Sequence, residues 1–457
     1  MINRKKIGAL PLPSRAIELC GQLKCVTFER WRTRPFSDPG NDPDSKGSAA
    51  ILSNTANQEK PSAKITDEGI ALMKERIGVL IPQASPFNIE AGIDGMRHFA
   101  NGYGDDNPLY TDENYGKNTR WGSLISPPMF ALTMGTSEIK KIRPEIRARG
   151  AHALAGVHEF FSGDEWEWIR PVLPGDRMTK RYYLFAVEEK AHSAMSGGRS
   201  VITRFRADYT NQRGELVGID RFRFVRVERD AARKSGKYTQ IEPARWSKED
   251  IDKIDAAYAE QAPPRGAEPR YWEDVNVGDD LPTLPKGPLT VTDTIAWMRG
   301  WGAGIQNTRL GWKYRQRAPG FFNRNECGAW DVVERVHWDN DAARMVGNPA
   351  AYDFGRMRSA FLTQIITNWM GDNAWLWKMK SEYRRFNFVG DMTWVKGKVA
   401  AKSIEDGRCV VDLEVWCENQ RGETSAPGSA RVILPSRAGG QARLPEQNSA
   451  DDVPLIF

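Results

Sequence analysis

Apolar residues first recur at helical spacing in KITDEGIALMKERIGVLI, where Ile70, Met73, Ile77 and Leu80 share one face and Thr66 offers a start. Upstream, residues 1–62 are rich in Pro, Ser, Asn, Asp and Lys without sustained periodicity, the composition of a disordered extension. From there the chain runs twice through one order of patterns. A helix-like stretch (AGIDGMRHFANGYG, then VTDTIAWMRGWGAG) leads into an irregular polar region. An apolar segment of helical spacing follows (SPPMFALTMGTSEIKK, then GRMRSAFLTQIITNWMG), and after it a run of three or more long alternating strands. Helices followed by consecutive strands predict an α+β fold, with an antiparallel sheet wrapped on a helix. Parallel βαβ alternation is absent, as are a GxGxxG after a strand and a GxxxxGK[ST], which disfavours Rossmann and P-loop enzymes.

Between the halves, residues 227–275 combine charge, a helix-like segment over 251–260 and the turn-rich APPRGAEP. That composition predicts a linker packed over the surface. The chain then divides into an extension (1–62), a first half (63–228), a linker (229–269), a second half (270–436) and a tail (437–457). The halves share short words as well as patterns. NQRGE occurs at 211–215 and again at 419–423, each time after an alternating strand, RSVITRFRADYT or RCVVDLEVWCE. Upstream, PVLPGDRMTKRYYLFAVEE mirrors FNFVGDMTWVKGKVAAKS, each with a Gly-Asp turn before a strand. Two shared turns in one order, each flanked by strands, point to an internal duplication.

Composition adds limits. The 457 residues exceed one ordinary core, and 65 basic against 59 acidic side chains leave a net charge of +6. No run of Lys and Arg is dense enough for a nucleic-acid groove, though a modest positive field suits an anionic carrier such as a thioester. Five scattered cysteines form neither a disulfide framework nor a metal knuckle, which fits a reduced cytoplasm. No apolar run approaches the ~18 residues of a membrane span. Sixteen tryptophans read first as core filling and second as a wide apolar pocket for a bulky substrate.

The chemistry-bearing stretch is FANGYGDDNPLYTDENYGKNTRWGSLISPPMF, with its D-x-N-P-x-Y-x-D core. It resembles the N-terminal region of the MaoC-like acyl dehydratases, the (R)-enoyl-CoA hydratase family. In that family a histidine stands where this chain has Tyr110. VNVGDDLPTLPKGPLTVTDTIAWMRGWGAG and VHWDNDAARMVGNPAAYDFGRMR resemble the same family more loosely, so the likeness covers about 65–228 and 270–436. It implies a double hot-dog fold: two repeats, each a long antiparallel sheet wrapped around a central helix, forming a pseudo-dimer. It also implies a hydro-lyase of lipid metabolism that adds water to, or removes it from, a 2-enoyl thioester of CoA or acyl carrier protein. No metal or redox cofactor is implied. A carboxylate and an imidazole manage the proton transfers, and a backbone amide at the central helix polarises the carbonyl.

Carried over by position, Asp105 takes the family's Asp, Asn107 its Asn and Tyr110 its His. A phenol with an ordinary pKa near 10 is a poor base at pH 7 but can donate a hydrogen bond. In the second half His337 takes the His position of H-x-D, and Val332 stands where its acid is expected. Asp353, beside the central helix, is the preferred replacement over Asp331, with Gly355 as the amide donor. Arg384 and Arg385, with Lys396 and Lys398, are candidates for CoA phosphates. The expected active site is therefore around His337, with the first repeat remodelled to shape an acyl tunnel for a bulky or cyclic group. Structural readings stand beside these: Asp105 and Asn107 read equally as an Asx turn capping the next helix. The alternative function is a non-catalytic thioester-binding subunit paired with another hot-dog chain, and behind it a hot-dog thioesterase. A homodimer is the other assembly the resemblance allows.

Overall fold

The computed structural model describes residues 64–83, 85–190, 198–228, 241–302, 305–446 and 454–456. The expected disordered extension, Cys20 and Cys25 lie outside the described residues. The first half contains helices α1 (Asp67–Lys74), α2 (Ile93–Asn101), α3 (Pro108–Thr111), α4 (Glu113–Lys117) and α5 (Pro144–Ala148). Its strands are β1 (Thr136–Ser137), β2 (His158–Trp168), β3 (Met178–Lys190), β4 (Ser200–Asn211) and β5 (Leu216–Val227). Helix α6 (Lys248–Ala259) lies in the expected linker, capped by a Ser247–Asp250 box. The second half contains β6 (Asp280–Lys286), α7 (Val291–Trp301), α8 (Thr308–Arg317), β7 (Phe322–Arg324), β8 (Trp330–Val332) and α9 (Asn340–Met345). It continues with α10 (Gly355–Met370), β9 (Trp375–Glu382), β10 (Thr393–Glu405), β11 (Arg408–Asn419) and β12 (Thr424–Leu434).

Ten strands form one sheet in the order β1-β3-β4-β5-β2-β9-β12-β11-β10-β6. The four inner strands of each half take matching positions, β3-β4-β5-β2 against β10-β11-β12-β9, so a pseudo-two-fold axis runs between β2 and β9; the outermost strands differ, β1 pairing in parallel with β3 and β6 antiparallel with β10. The β2–β9 junction is antiparallel, with Trp166 opposite Met379 and Glu165 opposite Lys380. On the other side of the axis α2 crosses α7 at glycines. A Cβ on Gly102 would lie 3.3 Å from the Gly300 Cα, and one on Gly300 only 2.7 Å from the His98 carbonyl. Only glycine allows that approach.

The repeated pentapeptide does one job twice. In the first copy the Asn211 Oδ1 accepts from the Arg213 and Glu215 amides, while Gln212 and Arg213 donate to Asp176 at 3.2 and 3.0 Å. In the second, the Asn419 Oδ1 accepts from the Arg421 and Glu423 amides, while Gln420 and Arg421 donate to Asp391 at 2.6 and 2.7 Å. Each aspartate belongs to a Gly-Asp turn, so both shared turns are halves of one lock. It ties one hairpin to the start of a neighbouring strand.

The central segments differ. Helix α10 is buried along nearly its whole length, with Arg358, Ser359, Thr363, Gln364 and Thr367 buried among its apolar residues, and Gly371 closes it at φ +75°. In the first half, a helix over SPPMFALTMGTSEIKK does not form. Only a 3₁₀ turn, Pro128–Thr133, is made. Met134 is extended, Gly135 takes φ +103°, and Thr136–Ser137 pair in parallel with Thr179–Lys180 of β3. Strand pairing at a positive-φ glycine wins over helical periodicity there. The inner face of the first-half sheet therefore lacks the 16-residue helix that fills the second.

Candidate active site

The first-half loop leaves α2 through Gly104 (φ +70°) and turns inward at Asp105. Asp105 accepts from the Tyr103 hydroxyl at 2.9 Å and the Asn107 amide at 3.1 Å. The Asn107 side chain in turn accepts from the Leu109 amide at 3.0 Å and caps α3. The second half holds this loop: Lys286 Nζ donates to the Tyr103 and Gly104 carbonyls, and Gln364 of α10 donates to the Gly104 carbonyl. Burial pushes the Asp105 carboxyl up to about 6, against the pull of the Asn107 amide and Lys286. Burial also raises the Tyr110 phenol well above its ordinary range.

Asn107 and Tyr110 line an apolar cavity enclosing about 640 Å³ of non-atom space, part of it open to solvent. Its walls are the 3₁₀ turn (Pro128, Ala131), the inner face of β2 and β5 (Trp166, Trp168, Gly218), and the C-terminal end of α10 (Thr367, Met370). It occupies the space beside the shortened central segment. Indole N–H groups fix its walls to carbonyls, Trp168 to Pro128 at 2.6 Å and Trp375 to Trp168 at 2.8 Å.

His337 ends a 3₁₀ turn at Val333–His337 and stacks on Phe354 at 3.8 Å. Its Nδ1 lies 2.8 Å from the Tyr352 carbonyl, so Nδ1 carries the proton and donates it there. Burial drives the imidazole pKa down to about 4, opposed by the backbone of Tyr352 and Asp353. Asp339 caps α9 as Asp112 caps α4, each accepting two amides of the next turn. These matching caps put His337 and Tyr110 at corresponding positions in the two halves.

The expected partner of His337 faces elsewhere. The Asp353 carboxylate lies 2.9 Å from the Arg358 Nε, a buried ion pair within α10's mouth. Burial raises its pKa to about 6 despite Arg358. Asp331 accepts from the Val332 amide. Gly355 opens α10 under the Tyr383 ring, where an added Cβ would sit 2.7 Å from a ring carbon. Arg384 pairs with Glu382, Arg385 with Glu423 at 3.1 Å, Lys396 with Glu418 at 2.7 Å and Lys398 with Glu414 at 3.0 Å. His337 and Gly355 thus meet around Phe354 at one end of α10, whereas Asn107 and Tyr110 face its other end.

Sequence reasoning missed a buried polar group between β2, β5 and α10. The Ser359 and Ser381 hydroxyls donate to Asp164 at 2.9 and 2.6 Å, and Tyr383 lies 2.5 Å from Ser359. Arg356 donates to Asp220 at 2.7 Å. A signal was present: in GDEWEW, Asp164 shares the alternation phase of Trp166 and Trp168, so an acid stands at an inward position. Among the described residues no three His, Cys, Asp or Glu side chains gather as metal ligands do, and no helix is long and apolar enough to cross a membrane.

The model of the FAS1-like dehydratase domain region matches residues 77–219. A probable enoyl-CoA hydratase alpha subunit from Thermomonospora curvata is 29% identical over 140 residues, which span 29% of this chain and 43% of that one. The chain thus covers less than half of that relative's length. A UPF0336 protein from Streptomyces avermitilis is 30% identical over 112 residues, 24% of this chain and 69% of its own. A solved MaoC-like dehydratase superimposes with a TM-score of 0.54 at 17% identity, covering 79% of this chain and 99% of its own. With two repeats sharing one sheet about a pseudo-two-fold axis, this chain belongs to the MaoC-like family of enoyl-CoA hydratases and dehydratases and has a double hot-dog fold.

Proposed function

We propose that the chain is a hydro-lyase that adds water to, or removes it from, a 2-enoyl thioester with a bulky or cyclic acyl group. The observation that carries this reading is the aromatic-walled pocket, partly open to solvent, beside the shortened central segment of the first half. A full helix there would fill the space, as α10 does in the second half. In this reading the thioester sits at the Gly355 end of α10 and the acyl group extends along the helix, about 20 Å by its rise, to Asn107, Tyr110 and the tryptophan walls of the first repeat. The second repeat moves protons, with an acyl-CoA or carrier thioester as substrate and no metal or redox cofactor.

His337 suits the task through its tautomer. With Nδ1–H committed to the Tyr352 carbonyl, Nε2 carries the lone pair, and burial keeps the ring neutral at pH 7. As water bonds to the β-carbon, Nε2 takes its proton, and the π electrons move toward the thioester oxygen. The Gly355 amide at the start of α10 stabilises that developing oxyanion. The imidazolium then returns a proton to the α-carbon, leaving the hydroxyacyl thioester and a neutral ring. The purified chain, assayed against short, long and cyclic enoyl-CoAs at the enone absorbance, should turn over the bulkier ones. Absence of hydration across the whole panel defeats the proposal.

A second reading rests on two observations. His337 donates to a carbonyl rather than a carboxylate, and Tyr110 stands where the first repeat needs an imidazole. A partner hot-dog chain would then complete the catalytic pair, in keeping with a relative named as an alpha subunit. Activity that appears only when a co-purified partner is present favours this reading.

A further inference from the structure

Strand register places the inner face of the first-half sheet in rows. Lys180, Tyr209, Gly218 and Trp168 form one, and Tyr182, Ala207, Asp220 and Trp166 the next. Asp164 follows, opposite Phe222. Trp166, Trp168 and Gly218 are walls of the cavity, and Lys180, Tyr209 and Asp220 are their neighbours in the same rows of the sheet, just outside its lining. Tyr209 stacks on Trp166 with centroids 5.9 Å apart, and Lys180 Nζ stands 5.3 Å from the Tyr209 ring and 5.5 Å from that of Tyr182. Arg356 reaches in from the first turn of α10 over Phe161 and Phe222, bound to Asp220 at 2.7 Å and 3.9 Å from Asp164. A belt of charge therefore crosses a face that hot-dog packing would make apolar.

Several polar atoms of this belt have no hydrogen bond among the described residues. They are Asp220 Oδ1, Asp164 Oδ2, the Tyr209 hydroxyl and, in the cavity wall, Trp166 Nε1. Lys180 makes none of the described ion pairs, and burial lowers its pKa to about 8 even though Asp220 opposes the shift. Buried polar groups are nearly always paired, so this concentration of spare donors and acceptors next to the wall of an apolar cavity points to a ligand atom or water. The sign of the belt narrows the choice. An anion would meet Asp164 and Asp220, and a cation would meet Arg356 and Lys180. A neutral oxygen that both donates and accepts complements the set.

We propose that the belt of Lys180, Tyr209 and Asp220 recognises a hydroxyl group on the acyl chain, remote from the thioester. The inference rests on the reading of the cavity as the acyl site. It makes the preferred substrate an oxygenated acyl thioester rather than a plain hydrocarbon one. The class of reaction that supplies it is therefore a hydroxylation, or the reduction of a keto group, elsewhere on the chain.

The test uses two saturated acyl-CoAs of equal length, one with a distal hydroxyl and one without, so that no turnover intervenes. Calorimetry on the full chain should give at least tenfold tighter binding of the hydroxylated compound. Lys180→Met should bring the ratio close to one, and Lys180→Gln, which keeps a donor, should restore part of it. Equal affinities in the unmodified protein, or a preference that survives Lys180→Met with the fold intact by circular dichroism, overturn the proposal. Failure of the hydratase reading is seen separately, as absent turnover of enoyl-CoAs, and leaves this affinity ratio unaffected.

Discussion

The two halves keep the same locks and differ in what the locks enclose. Asp176 with Asn211–Glu215, and Asp391 with Asn419–Glu423, make the same set of turn hydrogen bonds. Inside that common frame the second half holds a 16-residue buried helix and the first a six-residue 3₁₀ turn beside a cavity. The candidate residues diverge in parallel. His337 keeps its imidazole and has no carboxylate in hydrogen-bond contact among the described residues, while Tyr110 has the buried Asp105 nearby and no imidazole. A duplicated frame fixes where strands go. It leaves each repeat free to exchange packing for space and one side-chain chemistry for another.

The sharpest break of this comparison is His337→Ala, which should lower enoyl-CoA hydration by roughly a hundredfold or more, the usual span of a lost general base. An unchanged melting curve must accompany it, and retained turnover would place the chemistry in the other half. Next comes Ala131→Phe, which fills the first-half cavity from the 3₁₀ turn. It should cut kcat/KM for bulky enoyl-CoAs by about tenfold to a hundredfold relative to crotonyl-CoA, the scale on which pocket volume discriminates. Equal losses on both substrates would detach the cavity from the acyl group.

The locks themselves can be weighed against each other. Asp391→Ala removes the partner of an arginine whose side chain is 28% exposed, whereas the Arg213 partner of Asp176 is 49% exposed. Both substitutions should destabilise in urea titrations, Asp391→Ala by about 3 kcal/mol and Asp176→Ala by less, because the more exposed pair is better screened by water.

Acid titration gives opposite signs at Asp105 and His337. Asp105 has a raised pKa, so between about 4 and 6 the native state holds a proton that the unfolded chain releases, and this contribution to stability falls as pH rises. His337 has a lowered pKa, so between about 4 and 6.5 the unfolded chain binds a proton that the native state refuses. Its contribution is lost as pH falls. Denaturation midpoints from pH 4 to 8 should therefore become steeper in pH for Asp105→Asn and flatter for His337→Gln. Identical profiles for both variants and the parent would remove the electrostatic difference between these two residues.

Much of this was legible in the chain. The alternation in RSVITRFRADYT and RCVVDLEVWCE is the signature of two-sided strands, and NQRGE can make only a few kinds of turn. The family loop was legible through Asp105, Asn107 and Pro108, and the Asx turns expected there are made. The length of the first central helix was not. SPPMFALTMG has helical spacing, but a parallel pairing with β3, distant in the chain, decides the outcome at Gly135. The direction of Asp353 was equally hidden, since it depends on Arg358 lying one helical turn further along a buried helix.

Sequence alone determined the α+β class, the duplication and the family, because periodicity, turn chemistry and short motifs act over a few residues. Tertiary structure alone decided that one central helix is missing, that a cavity stands in its place, and that Lys180, Asp220, Asp164 and Arg356 meet on one face. Those residues lie far apart in the chain, and only the register of β2, β3, β4 and β5 and the docking of α10 bring their charges together.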